Sequence, residues 1–298
     1  MVTASWNGIC KLWNIEDSKE LMVFNGHTDR ATSIVPHPLC SISQSPSSVN
    51  LASTGADSLV NLWSLDSSKP IATLKGHSHR VNKVDFHPCG KYMATCSTDL
   101  TWKLWDIETG REIFEQEGHS RAIFGISFHP DGSLIATGGF DMVTRVWDLR
   151  SGKSIQVYRG HSKPILGLDW AQDGYRLMSC SEDNSCRIYD IRKKRQSYVI
   201  PAHTNNVVTA KFFHNDDLIF TGSFDNTIKF WSPLDYSPVK SILGNEGKIL
   251  SVDVSRNFKY IVTGNYDRTW KLFMKTDFTS GTSAMDTEET NGTMQVEQ

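Results

Sequence analysis

The 298-residue sequence has no apolar run that approaches the ~20 residues of a membrane-spanning helix, and no signal peptide opens it. It also lacks a surplus of either charge, because 31 Lys and Arg stand against 33 Asp and Glu. A chain this balanced is not a polycation, so nonspecific coating of nucleic acid is not expected. The six cysteines form no C-x-x-C pair, which argues against a zinc knuckle or a disulfide framework. We therefore expect a soluble, intracellular, globular protein with reduced thiols.

A hydrophobic period of 3.6 residues is missing over any useful length, as are the nucleotide-binding signatures G-x-G-x-x-G and the P-loop. Short alternating segments separated by turn residues are present instead. Within residues 119–158, segments 123–129, 134–138, 143–148 and 154–158 are separated by Pro-Asp-Gly, Phe-Asp and Arg-Ser-Gly. The pattern predicts an all-β chain, with four strands in this stretch.

Nine tryptophans are a high number for this length, and five of them stand on a regular grid. From Trp63 onward an aromatic residue recurs every 42 residues, and Trp13 precedes Trp63 by 50, one period plus an insertion of eight. The seven aromatic positions are Trp13, Trp63, Trp105, Trp147, Tyr189, Trp231 and Phe273. The chain therefore contains seven repeats.

Three other residue types repeat in step with the aromatics. Six residues before each aromatic stands Asn7, Asp57, Asp99, Asp141, Asp183, Asp225 or Asp267. Four residues before each of these stands a hydroxyl residue: Thr3, Ser53, Thr95, Thr137, Ser179, Thr221 or Thr263. A Gly-His or Ala-His lies 22 residues before the Asp, or 30 where the insertion intervenes, at His27, His77, His119, His161 and His203, with Asn245 in the last repeat. Chance does not produce four interlocked periods.

Four strands per ~40–45 residues with a Gly-His and a Trp-Asp are typical of a WD40 blade. Over residues 1–274 the sequence resembles the WD40 β-propeller family, which implies an all-β, seven-bladed propeller. Blade 1 would lack its innermost strand, because a histidine 22 residues before Asn7 falls off the start of the chain, and no outer strand is visible after Phe273. We expect Met1 to be an internal or alternative start, with upstream residues that close the ring. Without them, blades 1 and 7 are expected to be incomplete.

The resemblance implies that His, Ser or Thr, Asp and Trp of one repeat meet in a buried hydrogen-bond network. Complete sets are His27/Ser53/Asp57/Trp63, His77/Thr95/Asp99/Trp105, His119/Thr137/Asp141/Trp147 and His203/Thr221/Asp225/Trp231. The set His161/Ser179/Asp183/Tyr189 departs in its aromatic residue, and the last repeat has Asn245 and Phe273 instead of His and Trp. We expect blade 7 to be the least rigid.

An enzyme is not expected, although a Ser, a His and an Asp in most repeats would satisfy a search for a catalytic triad. So many regularly spaced copies indicate structural ties rather than one active site. One or two histidines per blade do not converge on a metal ion, so neither a metal nor another cofactor is expected.

Three segments lie outside the repeat pattern. Residues 39–50 are a Ser- and Pro-rich insertion in blade 2, either a tolerated surface loop or a partner contact or phosphorylation site. Residues 192–195 are the basic run Arg-Lys-Lys-Arg, either a solvated turn or a nuclear-import or RNA-phosphate contact. Residues 275–298 carry one Lys and five acidic residues and are expected to be a disordered acidic tail.

Function in such a scaffold resides on its faces. Residues just after the Gly-His are expected on one rim: Arg30, Arg80, Arg121, Lys163 and Lys248. Residues just before the turn Asp are expected there too, and the aromatic ones are Trp6, Phe140, Phe224 and Tyr266. Cations and aromatics on one rim would suit an acidic peptide or a phosphate, and the alternative is a set of solvated loops.

A closer resemblance rests on several runs spread over blades 2 to 7. They are residues 49–53 after the insertion, 116–120 (QEGHS), 131–134 (DGSL), 145–150 (RVWDLR), 200–203 (IPAH) and 266–269 (YDRT). These runs resemble the WD40 proteins of the U4/U6 small nuclear ribonucleoprotein, a family of pre-mRNA splicing factors. The resemblance implies a non-catalytic nuclear scaffold of the U4/U6 and U4/U6·U5 particles. Its partners would be other U4/U6 proteins including a cyclophilin, with U4/U6 snRNA bound directly or indirectly.

The family's N-terminal region is absent from this sequence, so contacts that reside there are not expected here. A second hypothesis with the same fold is a substrate receptor of a ubiquitin ligase or a chromatin peptide reader. A propeller enzyme is a third class, which the repeat pattern disfavours.

Overall fold

Short amphipathic segments fold into strands throughout the computed structural model, which describes residues 1–39, 48–193, 195–213, 217–243, 245–255, 257 and 259–274, apart from the side chains of 196 and 197. These residues form 26 strands in seven antiparallel sheets. No helix is found among them. The all-β, seven-bladed propeller expected from the sequence is confirmed.

The first four blades are built as follows. Blade 1 holds β1 (Val2–Ala4), β2 (Ile9–Trp13) and β3 (Glu20–Asn25). Blade 2 holds β4 (Ala31–Pro36), β5 (Leu51–Gly55), β6 (Leu59–Trp63) and β7 (Ala72–Lys75). Blade 3 holds β8 (Val81–Phe86), β9 (Tyr92–Ser97), β10 (Trp102–Asp106) and β11 (Glu112–Gln116). Blade 4 holds β12 (Ile123–Phe128), β13 (Leu134–Gly139), β14 (Thr144–Asp148) and β15 (Lys153–Tyr158).

The remaining three blades complete the count. Blade 5 holds β16 (Ile165–Trp170), β17 (Arg176–Ser181), β18 (Cys186–Asp190) and β19 (Arg195–Ile200). Blade 6 holds β20 (Val207–Phe212), β21 (Ile219–Ser223), β22 (Ile228–Trp231) and β23 (Pro238–Ile242). Blade 7 holds β24 (Ile249–Val254), β25 (Tyr260–Asn265) and β26 (Trp270–Met274). Within the described ranges, blades 1 and 7 have three strands each, and the missing positions are the innermost of blade 1 and the outermost of blade 7.

Each strand pairs with its sequence neighbour, so a blade is a simple meander. In blade 4, Ile135 of β13 lies opposite Trp147 of β14, and Thr137 lies opposite Arg145. Every complete inner strand has a register shift near its start, as between Ile123 and Gly125 of β12. Such a bulge increases the local twist and leaves one residue, here Phe124, outside the pairing at one end of the ring.

The hydrophobic core lies between neighbouring blades rather than inside any one of them. One cluster joins Trp102 and Leu104 of blade 3 to Phe128 and Trp147 of blade 4. The ring centroids of Trp102 and Trp147 are 5.7 Å apart. Burying these faces removes apolar area from water at about 25 cal/mol per Å², which makes the seams between blades the main source of stability.

Blade 7 meets blade 1 through the same pair of strand positions. Trp270 starts β26 as Trp102 starts β10, and it packs on Trp13, the grid aromatic of blade 1, at 5.5 Å. Both indoles are buried. An aromatic contact therefore forms the seventh seam. Trp102, Trp170 and Trp270, three of the four tryptophans off the grid, lie within strands where packing is the expected role, and all three are core residues.

Polar groups also form hydrogen bonds between neighbouring blades, at the end of the ring opposite the Gly-His loops. The repeat pattern did not predict these bonds. The histidine after an inner strand bonds the carbonyl of a turn glycine in the next blade: His37 with Gly90 (2.8 Å), His87 with Gly132 (3.0 Å) and His129 with Gly174 (2.8 Å). Aspartates of the inner strands also bond to the next blade, as acceptors from a backbone N–H. Asp85 accepts from the Phe128 N–H (2.8 Å) and Asp169 from the Phe212 N–H (2.7 Å).

We expect Asp169→Asn to change how the stability of the protein depends on pH. Burial raises the pKa of Asp169 from 3.8 to about 7, despite the opposing effect of Lys211 and of the bond from Phe212. Between these values the folded state retains a proton that the unfolded chain releases, so the contribution of this group to stability falls as pH rises from about 4 to 7. An asparagine still accepts from Phe212 and does not ionise.

Urea denaturation at pH 5 and pH 8 measures this effect. The stability of the Asn variant relative to the parent should rise by on the order of 2 kcal/mol at the higher pH. Ser127→Asn, at the equivalent position of blade 4, is the uncharged control and should show no such difference. If the free energies of unfolding of the parent and of Asp169→Asn differed by the same amount at both pH values, the expectation would be contradicted.

Candidate functional site

The repeated His, hydroxyl, Asp and Trp residues form a hydrogen-bond network inside a blade. In blade 4 the His119 Nδ1 lies 2.9 Å from Asp141 Oδ2, and its Nε2 lies 2.8 Å from Thr137 Oγ1. The Trp147 indole N–H donates to the same hydroxyl at 2.7 Å. Since the carboxylate accepts from Nδ1–H, Nε2 is the acceptor, and the hydroxyl donates to it while accepting from the indole.

The structure builds equivalent networks in four other blades. Hydrogen bonds between the aromatic residue and the hydroxyl, between the hydroxyl and His, and between His and Asp connect His27/Ser53/Asp57/Trp63, His77/Thr95/Asp99/Trp105, His161/Ser179/Asp183/Tyr189 and His203/Thr221/Asp225/Trp231. In blade 5 the phenol of Tyr189 replaces the indole, 3.2 Å from Ser179 Oγ. A different aromatic residue therefore preserves the connection.

The electrostatics of the network stabilise a neutral imidazole beside a charged carboxylate. Burial lowers the pKa of His161 and of His203, although Asp183 and Asp225 oppose the shift. Burial would raise the pKa of Asp99, but hydrogen bonds from His77 and Thr101 hold it well below its usual range. The pKa of Asp183 is lowered in the same way against its burial, by His161 and Ser185. The carboxylate is thus ionised at neutral pH and acts as an acceptor.

The network cannot present a nucleophile to a substrate. The hydroxyl residues Ser53, Thr95, Thr137, Ser179 and Thr221 are 0% exposed, and each hydroxyl contacts both an imidazole and an aromatic donor. A general base must reach a proton on an accessible group. Five buried copies of Ser or Thr, His and Asp therefore have the geometry of ties between strands and loops.

Blades 1 and 7 contain reduced networks. In blade 1 the Trp13 indole donates to Thr3 Oγ1 at 2.9 Å. In blade 7 the Thr263 hydroxyl donates to Asn245 Oδ1 at 3.0 Å, and the buried Asn245 Nδ2 has no partner among the described residues. Phe273 is buried and has no polar group to contribute. That blade 7 is the least rigid remains a prediction.

The rim residues predicted from the sequence lie in two sets of loops at one end of the ring, which we call the top face. The first set leads from an outer strand into the next inner strand, and the second joins the two middle strands of a blade. A backbone bond connects the two sets in each of blades 2 to 7: Ala56 to Arg30, Thr98 to Arg80, Phe140 to Ala122, Glu182 to Pro164, Phe224 to Asn206 and Tyr266 to Lys248, at 2.7–3.0 Å. The rim is therefore one connected surface.

Cations and aromatics pair on the top face. Arg30 lies over the Trp6 ring at 5.2 Å, Arg121 over Phe140 at 5.9 Å and Lys248 over Phe224 at 5.5 Å. Tyr266 meets Trp6 edge-on at 5.4 Å, so one cluster spans blades 7, 1 and 2. Arg80 and Lys163 are exposed on the same face without a described ring contact. Partial burial and the nearby Arg30 lower the pKa of Arg80.

None of the five rim cations forms an ion pair with a carboxylate within the described part of the chain, although the charge of Asp29 acts on Arg80. Trp6 and Tyr266 are more than half exposed. Leu100 and Met142 are also exposed on this face, and the sequence analysis missed them. The sequence could have identified Leu100 and Met142, because the equivalent turn position holds Gly, Ser, Asn or Arg in the other blades.

The three segments outside the repeat pattern contribute little to the candidate site. Residues 40–47 of the insertion and residues 275–298 lie outside the described residues. Asn50 belongs to the blade, since it is buried and its amide N–H donates to Trp63 O at 2.8 Å. In the basic run, Arg192 and Lys193 both contact Asp190, which reduces their free charge, and Lys194 is outside the described residues. Among the residues described, no helix is long and apolar enough to cross a membrane.

Comparison with known proteins gives one extended match. The model of the family described as the first β-propeller of IFT122 matches residues 1–274. An uncharacterized WD repeat-containing protein of Schizosaccharomyces pombe is 42% identical over 96 residues, 32% of this chain and 21% of that protein. The U4/U6 small nuclear ribonucleoprotein Prp4 of Bos taurus and of Mus musculus is 45% identical over 56 residues, 19% of this chain and 11% of theirs. The matched segments thus span about a fifth or less of these relatives.

We expect the hydroxyl of the network to contribute more to the free energy of unfolding in blade 4 than in blade 7. Thr137→Val keeps the shape of the side chain but leaves the Trp147 indole N–H and His119 Nε2 buried without a partner. At ~1–3 kcal/mol for each group, the free energy of unfolding should fall by about 2–6 kcal/mol, measured by urea denaturation. Thr263→Val, the matched change in blade 7, leaves one buried group, Asn245 Oδ1, without this partner and should cost about half as much, ~1–3 kcal/mol. Equal losses in the two variants would contradict this view of the network.

Proposed function

We propose a function that proceeds from one fact, that the chain belongs to the β-propeller family described as the first propeller of IFT122. Propellers of this WD40 type are generally non-catalytic interaction scaffolds. In our proposal this chain is such a scaffold, and its top face is the surface that binds protein partners. It needs no cofactor or metal and acts on no small-molecule substrate.

The observation that carries the proposal is the unpaired charge on the top face. Arg30, Arg80, Arg121, Lys163 and Lys248 project from one rim without a described carboxylate partner, between exposed aromatic rings. Unpaired cations attract an acidic segment, and aromatic residues and Arg are enriched where binding energy concentrates. The buried Ser or Thr, His and Asp sets support the non-catalytic part of the proposal, because no substrate reaches their hydroxyls.

We propose further that the scaffold belongs to the U4/U6 and U4/U6·U5 particles and acts in pre-mRNA splicing in the nucleus. The support is the 45% identity to Prp4 over 56 residues, together with the runs distributed over blades 2 to 7. Other U4/U6 proteins, a cyclophilin among them, would be its partners, and the U4/U6 snRNA would be bound directly or through them.

A second candidate is favoured by the extent of the family match. Residues 1–274 match an IFT122 propeller, whereas the similarity to Prp4 covers 19% of the chain. In that case the chain is the propeller of an IFT122-type protein, and it has no place in a U4/U6 particle. The fold and the top face are the same in both candidates.

Affinity purification from nuclear extract, followed by RNA sequencing and mass spectrometry, separates the candidates. The splicing proposal predicts enrichment of U4 and U6 RNA with the U4/U6 proteins. Recovery of a cullin adaptor or a histone peptide without these RNAs would support a ubiquitin-ligase receptor or chromatin reader instead. Recovery of IFT122-type partners would support the second candidate.

The role of the top face is tested in the same purification with Arg80→Ala/Arg121→Ala. Removal of two unpaired cations should reduce the recovered partner at least ~10-fold, the size expected from ~1.4 kcal/mol of lost attraction. Lys91→Ala/Arg150→Ala removes the same charge from exposed turns at the opposite end of the ring and should leave the yield unchanged. Equal yields from the two double variants would count against the top face.

A further inference from the structure

One turn residue in every blade adopts a left-handed backbone conformation. It is the residue directly after the turn Asp or Asn: Gly8, Ser58, Leu100, Met142, Asn184, Asn226 and Arg268, with φ between 63° and 82°. Glycine and asparagine adopt this conformation readily, whereas a bulky side chain brings its Cβ close to the following carbonyl. Leu100 and Met142 are therefore the least suited to it, and they occupy consecutive blades.

The asparagines at this position provide a polar tie to the next blade. Asn184 Nδ2 donates to Thr204 O at 3.2 Å, and Asn226 Nδ2 donates to Glu246 O at 3.4 Å. The closeness of the position to the next loop is also seen at Gly8, where a Cβ would lie 2.9 Å from the carbonyl oxygens of His27 and Asp29. By the repeat spacing, Leu100 and Met142 face the loops at Ser120 and Ser162, and neither side chain is a donor.

The bulge residue of the inner strand adds an aromatic side chain to this surface in blade 4. This residue is Thr32 in blade 2 and Asn82 in blade 3, and their side chains donate to Val81 O and Ile123 O at 2.5 and 2.6 Å. In blade 4 it is Phe124, whose ring packs against Phe140 at 6.1 Å. Blades 5 to 7 also have apolar residues at this position: Leu166, Val208 and Leu250.

The side chains concerned lie at the surface. Leu100 is 40% exposed, Met142 36% and Phe140 39%. Backbone strain and unfavourable exposure that coincide at one place are features of binding sites, where the partner supplies the missing contacts. We call Leu100, Phe124, Phe140 and Met142 the blade 3–4 patch.

The charges beside the patch indicate what it binds. Arg121 lies over Phe140, Lys163 follows Ser162, and Arg80 is exposed in the loop that enters blade 3, and none of the three forms a described ion pair. An apolar surface bordered by cations is complementary to apolar side chains bordered by carboxylates.

We propose that the blade 3–4 patch is the anchor site for a protein segment in which one or two large apolar residues adjoin Asp or Glu. The apolar residues contact Leu100, Phe140 and Met142, and the acidic ones contact Arg121 and Lys163. This inference rests on the proposed function, in which the top face binds protein partners. It adds where the anchor residues bind and which chemistry the bound segment has.

Selection from a phage-displayed library of random 12-residue peptides on the immobilised protein tests the chemistry. The enriched sequences should combine Leu, Ile, Phe or Trp with neighbouring Asp or Glu. A synthetic copy of the strongest sequence, labelled with a fluorophore, then measures affinity by anisotropy. The same peptide with Asn and Gln in place of its Asp and Glu should bind at least ~10-fold more weakly.

Leu100→Asn/Met142→Asn tests the position. Asparagine fits the left-handed turn and can donate to the next loop as Asn184 does, so the melting temperature should stay the same or rise. Affinity for the peptide should nevertheless fall at least ~10-fold, since the anchor contacts are lost. A structural role alone would not weaken binding in a variant of unchanged or higher stability. Ser58→Asn makes the matched change in blade 2 and should leave affinity unchanged.

The outcomes distinguish this proposal from the broader one. If a selected peptide loses affinity in Arg80→Ala/Arg121→Ala but not in Leu100→Asn/Met142→Asn, the anchor site is overturned while the top face retains its role. Enrichment of polar or basic peptides, or of none, overturns the anchor site as well. So does binding to phosphatidylserine vesicles that depends on Leu100 and Met142 in the absence of any selected peptide, because the surface would then be a membrane contact.

Discussion

The fold depends on one buried hydroxyl in each of blades 2 to 7. In blade 4, Thr137 Oγ1 accepts from the Trp147 indole and donates to His119, which in turn donates to Asp141. Asp141 also accepts from the Ser120 N–H, so the chain of bonds runs from the third strand through the second to both loops of the top face. Since each group is desolvated, loss of one partner leaves others unsatisfied at ~1–3 kcal/mol each. The network thereby connects the loops of the top face to the strands of their own blade.

Association of the blades depends on a different interaction. Apolar seams, with Trp102 on Trp147 as the pattern, join each blade to the next, and Trp270 on Trp13 extends that pattern across blades 7 and 1. At the end opposite the top face, the bonds from His37, His87 and His129 to glycine carbonyls reinforce the seams. On the top face, Leu100 and Met142 occupy the turn position from which Asn184 and Asn226 donate to the next loop in blades 5 and 6. Our proposal places partner binding at these apolar side chains.

Much of this could be predicted from one sequence. The spacing places Thr137 and Trp147, ten residues apart, on neighbouring strands, and the resemblance to the WD40 family predicts that the two meet. The number of repeats and the four strands of residues 119–158 follow from the spacing, whereas the membership of the five networks follows from the resemblance. The rim was also predictable as a set, because loops that precede equivalent strands lie at the same end of a ring.

The tertiary structure alone decided which rim residues meet and where strain is stored. Trp6 and Tyr266 are 260 positions apart in the sequence and touch only because blade 7 returns to blade 1. The bonds from histidine to glycine depend on the distance between turns of adjacent blades, which no spacing within one repeat specifies. The left-handed backbone at Leu100 and Met142 contradicts their local preference and is imposed by the Asp turn that precedes them. Local periodicity encodes what lies within a blade, whereas contacts between blades arise only when the ring brings separate repeats together.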